Sequence, residues 1–151
     1  MVSPSGAPYC YVVPPGFTRT KATLGGADYA SAVSLDNHDI IVAGVFPAPS
    51  NLDALTDREL THAVDDLIGR ENSAGFHLVS RHGKLTKPAA GRALEYRATT
   101  PTTPPITIDL FVVSKGHTKV QLNCQYTAQR AKVEAACARV LASMRITSSD
   151  G

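Results

Sequence analysis

The sequence has no apolar run long enough to cross a bilayer. The longest, Ile40 to Phe46, has the length of a β-strand, whereas a membrane helix needs ~18 or more apolar residues in a row. It has no excess of one charge either: 15 Lys and Arg stand against 13 Asp and Glu, a formal charge of +2. That is far from the positive field with which proteins hold DNA or RNA, so nucleic acid is not an expected partner. Cysteine is scarce. Cys10, Cys124 and Cys137 form no Cys-x-x-Cys pair and sit near no histidine cluster, which argues against zinc. The histidines His38, His62, His77, His82 and His117 include no helical His-x-x-x-His pair, and His77 and His82, in an extended stretch, face opposite sides. No metal site and no cofactor is expected. Gly-x-Ser-x-Gly, P-loop and Gly-x-Gly-x-x-Gly motifs are missing. No catalytic residue is therefore assigned, and the expectation is a protein that is not an enzyme. Residues 1–8 lack the basic start and apolar centre of a secretory leader.

What is present fits one core. A chain of 151 residues with 43% apolar content buries roughly two thirds of its unfolded surface as a single domain. Tyr9 to Val13 is β-prone and stopped by Pro14, Pro15 and Gly16, residues that cannot continue a ladder or that favour turns. Tyr29 to Leu35 and His38 to Phe46 flank the turn formers Asp36 and Asn37, the pattern of a hairpin. In its second strand Ile40 and Val42 face one way and Ile41, Ala43 and Val45 the other, so the strand is apolar on both faces and belongs in the sheet centre.

Thr56 and Glu59 form a capping box, each satisfying a free backbone N–H of the other. A helix over 57–68 follows, with Gly69 placed to end it. Phe76 to Ser80 and Gly91 to Thr99 alternate like strands joined by a basic loop, and the proline-rich stretch from Thr100 to Pro105 leads into Ile106 to Ser114. Lys115-Gly116 then turns the chain into His117 to Tyr126. On that last strand Val120, Leu122, Cys124 and Tyr126 give a dry face, and Lys119, Gln121, Asn123 and Gln125 a wet one. Thr127 is placed to cap a helix over 128–144 whose apolar stripe is Val133, Cys137, Val140, Leu141 and Met144. The expected fold class is α+β, an antiparallel β-sheet with two main helices packed against it. The single domain is expected over 9–147, between a disordered segment 1–8 and a tail 148–151.

Cys124 on the dry face of the last strand and Cys137 on the apolar stripe of the last helix are close enough in sequence to pair. A bridge closing ~14 residues would add about 3 kcal/mol by loop entropy. Pairing with Cys10, or three buried thiols, remain open alternatives. Any bridge implies an oxidising compartment.

Tyr9-Cys10-Tyr11-Val12-Val13-Pro14-Pro15-Gly16-Phe17, Leu35-Asp36-Asn37-His38-Asp39-Ile40-Ile41-Val42, Leu122-Asn123-Cys124-Gln125-Tyr126 and Val140-Leu141-Ala142-Ser143-Met144-Arg145-Ile146 together resemble the small actinobacterial secreted lipoproteins of the LpqN type, with a PsbP/Mog1-like fold. The resemblance runs from about Tyr9 to Ile146. It implies an antiparallel sheet with packed helices and a role as a binding or assembly factor. Tyr9 stands before Cys10 where a lipid-attachment cysteine is preceded by small residues, so lipid anchoring is not carried over.

The expected localisation is extracytoplasmic, secreted or associated with the cell envelope, with a leader that this sequence does not contain. The expected function is binding, without catalysis, of an apolar or amphiphilic ligand or a protein partner. An assembly factor or chaperone and a small cofactor-free enzyme are the alternatives. Phe46, Phe76, Tyr96 and Phe111 are candidates to line an apolar ligand pocket, with the apolar face of Ile41, Val45, Phe111 and Val113 as its expected place; such residues otherwise simply form core. The candidate patch for an acidic partner or anionic lipid, with peripheral membrane association, is Arg81, Lys84, Lys87, Arg92 and Arg97; otherwise these guard an edge strand. Asp65, Asp66 and Glu71 do not make a catalytic pair, because adjacent helical residues do not share a face.

Overall fold

A computed structural model describes residues 1–71 and 76–147. The tail 148–151 and the Glu71 side chain lie outside the described residues. In chain order the elements are β1 (Tyr9–Cys10), β2 (Thr18–Thr20), β3 (Asp28–Ser34), β4 (Ile40–Pro47), a short 3-10 turn (Leu52–Ala54), α1 (Asp57–Glu71), β5 (His77–Leu78), β6 (Lys84–Thr86), β7 (Arg92–Thr99), β8 (Thr107–Lys115), β9 (Thr118–Tyr126), α2 (Arg130–Ser143) and β10 (Arg145–Ile146). No described helix is long and apolar enough to cross a membrane.

The main sheet runs β2-β3-β4-β9-β8-β7-β5, with β6 also on β7. All its pairings are antiparallel. The doubly apolar β4 is central, between β3 and β9, and β8 and β9 form the long hairpin closed at Lys115↔Thr118. Gly116 has φ 59, a left-handed turn conformation that glycine adopts without a Cβ penalty.

Because side chains alternate along a strand, the sheet has two distinct faces. Val33, Ile41, Ala43, Val45, Val113, Val120, Leu122 and Cys124 meet Val133, Ala136, Cys137 and Val140 of α2, together with Tyr9 and Tyr11. Leu94, Tyr96, Ile108, Leu110 and Val112 meet Leu60, Val64 and Ile68 of α1 on the other side. The helices therefore cover opposite faces, giving three layers. Cys124 and Cys137 are joined by a disulfide with Cα atoms 6.1 Å apart, which ties β9 to α2, and Cys10 is free and half-buried.

The capping box is formed: Thr56 N donates to Glu59 Oε1 at 2.9 Å, and Glu59 N to Thr56 Oγ1 at 3.1 Å. The helix it starts runs past Gly69 to Glu71. Gly69 is not among the positive-φ glycines, so it is an interior helical residue and no left-handed cap. Thr127 does not cap α2. The N-cap is Gln129, without a side-chain cap bond, and the buried Asp39 carboxylate accepts from Thr127 N at 3.0 Å and Gln129 N at 3.1 Å. Residues 1–8 are not a loose lead-in: Val2 is buried and pairs with Tyr11. Nor is the second face of β9 fully wet, since Asn123 is only 3% exposed.

Candidate apolar furrow on the α1 side

The alternation that sends Leu122 and Cys124 toward α2 sends Gln121 and Asn123 toward the α1 layer. Their register partners on β8, Val112 and Leu110, and then Ala98 on β7, opposite Ile108, continue this floor. Ile68 of α1, with Phe76 and Leu78 at the start of β5, closes over it, leaving a half-open hollow of about 60 Å³. A second hollow of about 20 Å³ lies against Phe46, Leu67, Ile68, Val112, Lys119 and Gln121. The two share Ile68 and Gln121 and form one furrow along β9 from Lys119 to Asn123, ~14 Å at ~3.4 Å per residue. On its far side the chain crosses β4 closely: a Cβ at Gly44 would lie 2.6 Å from Ala27 Cβ.

Apart from Lys119 at one end, the lining is apolar except for two carboxamides. Gln121 Nε2 donates to Asn123 Oδ1 at 3.1 Å. A few polar groups in an apolar concavity fix the orientation of a bound group and leave most of the contact to dispersion and burial. The volume decides what fits. It is far below the ~300–1,000 Å³ of sites that enclose a small molecule, and equals about two waters at ~30 Å³ each. It has room for no more than a branched alkyl end or a side chain.

Beside the furrow, Asp65 fixes the position of α1. Its Oδ1 accepts from Tyr96 Oη at 2.5 Å and from Gly83 N at 2.8 Å. Burial first, and then the Asp65 hydrogen bond, push the Tyr96 hydroxyl well above its ordinary pKa of 10.0, so it serves as a fixed donor. Asp66 points elsewhere and pairs with Arg70 at 3.0 Å, so these neighbours make no acid–base dyad.

Ile41, Val45 and Val113 are buried core under α2, with half-buried Phe111 packed against them. They share a face, as the alternation predicts, but line neither of these two hollows, because α2 and the N-terminal strand pack above them. The furrow is on the opposite face of the sheet. The basic residues also separate. Arg92 donates to Leu55 O at 2.8 Å and Leu52 O at 2.6 Å, and with Lys87 it pairs with Asp57 at the start of α1. Arg97 pairs with Asp109 at 2.9 Å, near Glu134 of α2. Arg81 and Lys84 are exposed near β6, at the β7 edge. These residues make no single patch, and Lys87, Arg92 and Arg97 already have acidic partners. Among the described residues no group of three or more His, Cys, Asp or Glu side chains comes together. Ala98 carries no signal of its own in the sequence, and Gln121 and Asn123 read there as part of a wet face. The alternation gave their direction, but polarity alone read as solvent.

No family model and no curated protein matches the sequence. Solved structures do. LpqN of Mycobacterium tuberculosis, described as involved in cell envelope biogenesis, superposes with TM-score 0.58 at 12% identity, over 93% of this chain and 83% of that one. The cyanobacterial PsbP of Synechocystis gives TM-score 0.59 at 13% identity, over 92% and 86%. A Bacteroides thetaiotaomicron protein gives TM-score 0.65 at 10% identity over all of this chain. The chain spans 49% of that protein's length. The fold is thus the PsbP-like α+β fold found in LpqN.

Proposed function

We propose that this chain is a non-enzymatic binding protein of the cell envelope that takes the apolar end of an amphiphile in the furrow between α1 and the sheet. The observation that carries this reading is the half-open apolar hollow with the Gln121–Asn123 amide pair in its floor. Support for the compartment comes from the Cys124–Cys137 disulfide and from the cell-envelope role stated for LpqN. Burying about three methylene groups at ~0.8 kcal/mol each gives about 2.4 kcal/mol, against the ~8 kcal/mol of a micromolar complex. The furrow is therefore an anchor point for a larger amphiphile lying across the surface, with the remaining contacts outside it. A carrier that swallows a whole lipid needs a larger cavity.

Ala98→Leu tests this by filling the hollow from its floor. Titration with the fluorescent apolar probe anilinonaphthalene sulfonate, followed by displacement with fatty acids of increasing chain length, is expected to show binding that Ala98→Leu abolishes. The melting temperature should stay within a few degrees. Equal binding by the filled variant would refute the site. Native mass spectrometry of protein purified from its own host would then show the bound mass.

A further inference from the structure

On the opposite side of the molecule, an open groove of about 430 Å³ runs between the Pro14-Pro15-Gly16 loop and α2. One wall is Pro14, Pro15, Phe17 and Leu35; the other is one stripe of α2, with Ala135 and Ala136 between Lys132 and Arg139. The proline wall is preformed. Phe17 N donates to Pro14 O at 3.1 Å, and Gly16 takes φ 82 to close that turn.

Two cations stand at the ends of this groove. Arg130, on the same helix, is paired with Glu134 at 2.7 Å. Lys132 and Arg139 have no carboxylate within 4.0 Å among the described residues. Asp36, next in sequence to Leu35, is already engaged, accepting from His38 N at 2.9 Å and Asp39 N at 2.8 Å. Lys132 and Arg139 therefore flank an apolar hollow without an ion-pair partner among the described residues.

From this complementarity we propose that the groove docks an extended segment of a partner protein bearing two carboxylates three residues apart, with small apolar residues between them. The spacing follows from geometry. Seven helical residues from Lys132 to Arg139 rise ~10.5 Å at ~1.5 Å each, and one three-residue turn of an extended polyproline II segment covers ~9.3 Å and returns the side chain to the same side. A lipid carries its charge at one end and meets a membrane through projecting cations, whereas here the cations bracket a concavity. The inference does not depend on the α1-side furrow, which lies across the sheet.

The test is selection of a phage-displayed library of random peptides on the intact protein, with fluorescence anisotropy of the enriched sequences. The expected result is enrichment of peptides with two acids separated by two residues, and binding that weakens as salt is raised. Affinity should fall at least ~10-fold in Lys132→Glu and again in Arg139→Glu, the loss seen when one partner of a close charge pair is removed. Both side chains are exposed, and circular dichroism verifies that the variants keep the fold. No enrichment of acidic peptides, or enrichment indifferent to both substitutions, overturns the proposal. So does binding of phosphatidylglycerol vesicles that both substitutions abolish while no peptide is selected, which would assign the groove to a membrane.

Discussion

Replacing Asp39 with alanine should destabilise the fold through a helix that begins some ninety residues further along the chain. Asp39 is 1% exposed at the end of the β3–β4 turn, and its Oδ1 accepts from Thr127 N and Gln129 N just before α2. Its Oδ2 lies 3.5 Å from Thr127 Oγ1. Asp39→Ala leaves those two backbone donors without their acceptor, at about 1–3 kcal/mol each if water does not replace it. It also removes an anion from a helix N-terminus, worth about 0.3–1 kcal/mol. Since Thr127 and Gln129 are themselves half-buried, water can reach their amides once the carboxylate is gone, so values at the low end apply and the sum is about 2–4 kcal/mol. For a domain of this length each kcal/mol moves the melting temperature by about 2–4 °C, so a fall of roughly 4–16 °C is expected. Asp39→Asn keeps one acceptor oxygen and should lose about half as much. Thermal and urea unfolding give the magnitude, and amide hydrogen exchange at Thr127 and Gln129 gives the location. A loss under ~0.5 kcal/mol in Asp39→Ala, or unchanged exchange at both amides, would refute the assignment of Asp39 as the cap of α2.

Three other perturbations have defined outcomes. The double variant Cys124→Ala, Cys137→Ala opens a loop with sequence separation 13, and urea unfolding should show a loss of about 3 kcal/mol. Gly83→Ala places a Cβ 2.6 Å from Tyr96 Oη and 2.9 Å from Leu94 Cδ2, both on buried side chains, so overpacking of about 1–3 kcal/mol should lower the melting temperature. Asp57 has its pKa held below 3.8 by hydrogen bonds first from Lys87 and then from Arg92. A depressed folded-state pKa gives stability that is present above the unfolded value and lost as pH falls through the folded one. Asp57→Asn should therefore be less stable than the parent near neutral pH, and the two should converge well below pH 3.8 in urea titrations.

The features legible in the sequence are those set by neighbouring residues. The Thr56–Glu59 box, the Asp36–Asn37 and Lys115–Gly116 turns and the Cys124–Cys137 pair each depend on a short stretch with a strong conformational signal. Strands β2, β6 and β10 were not anticipated: they have two or three residues each and exist because a longer strand or a ribbon partner offers hydrogen bonds. The Asp39 cap has no local signal at all. The basic run misled for a period-two reason. Arg92 and Arg97 are five positions apart on β7, so one reaches the 3-10 turn and the start of α1 while the other meets Asp109 on the α2 side. A cluster along the chain becomes two separate ion pairs in space.

The candidate furrow also explains which layer should yield when something binds. The α2 layer is fixed by the disulfide to β9, by the Asp39 bonds and by Tyr9, whose hydroxyl donates to Tyr29 O at 2.5 Å. The α1 layer is pinned at its start, through Arg92 and the capping box, and at Asp65. Leu67 and Ile68, beyond Asp65 on α1, border the hollows. An apolar group entering the furrow should therefore displace the C-terminal half of α1 and leave α2 still. Hydrogen exchange with and without anilinonaphthalene sulfonate should show altered protection at Leu67 and Ile68 and none at Val133 to Val140. Equal changes in both helices would mean that the probe had loosened the whole domain, and the furrow would no longer account for its binding.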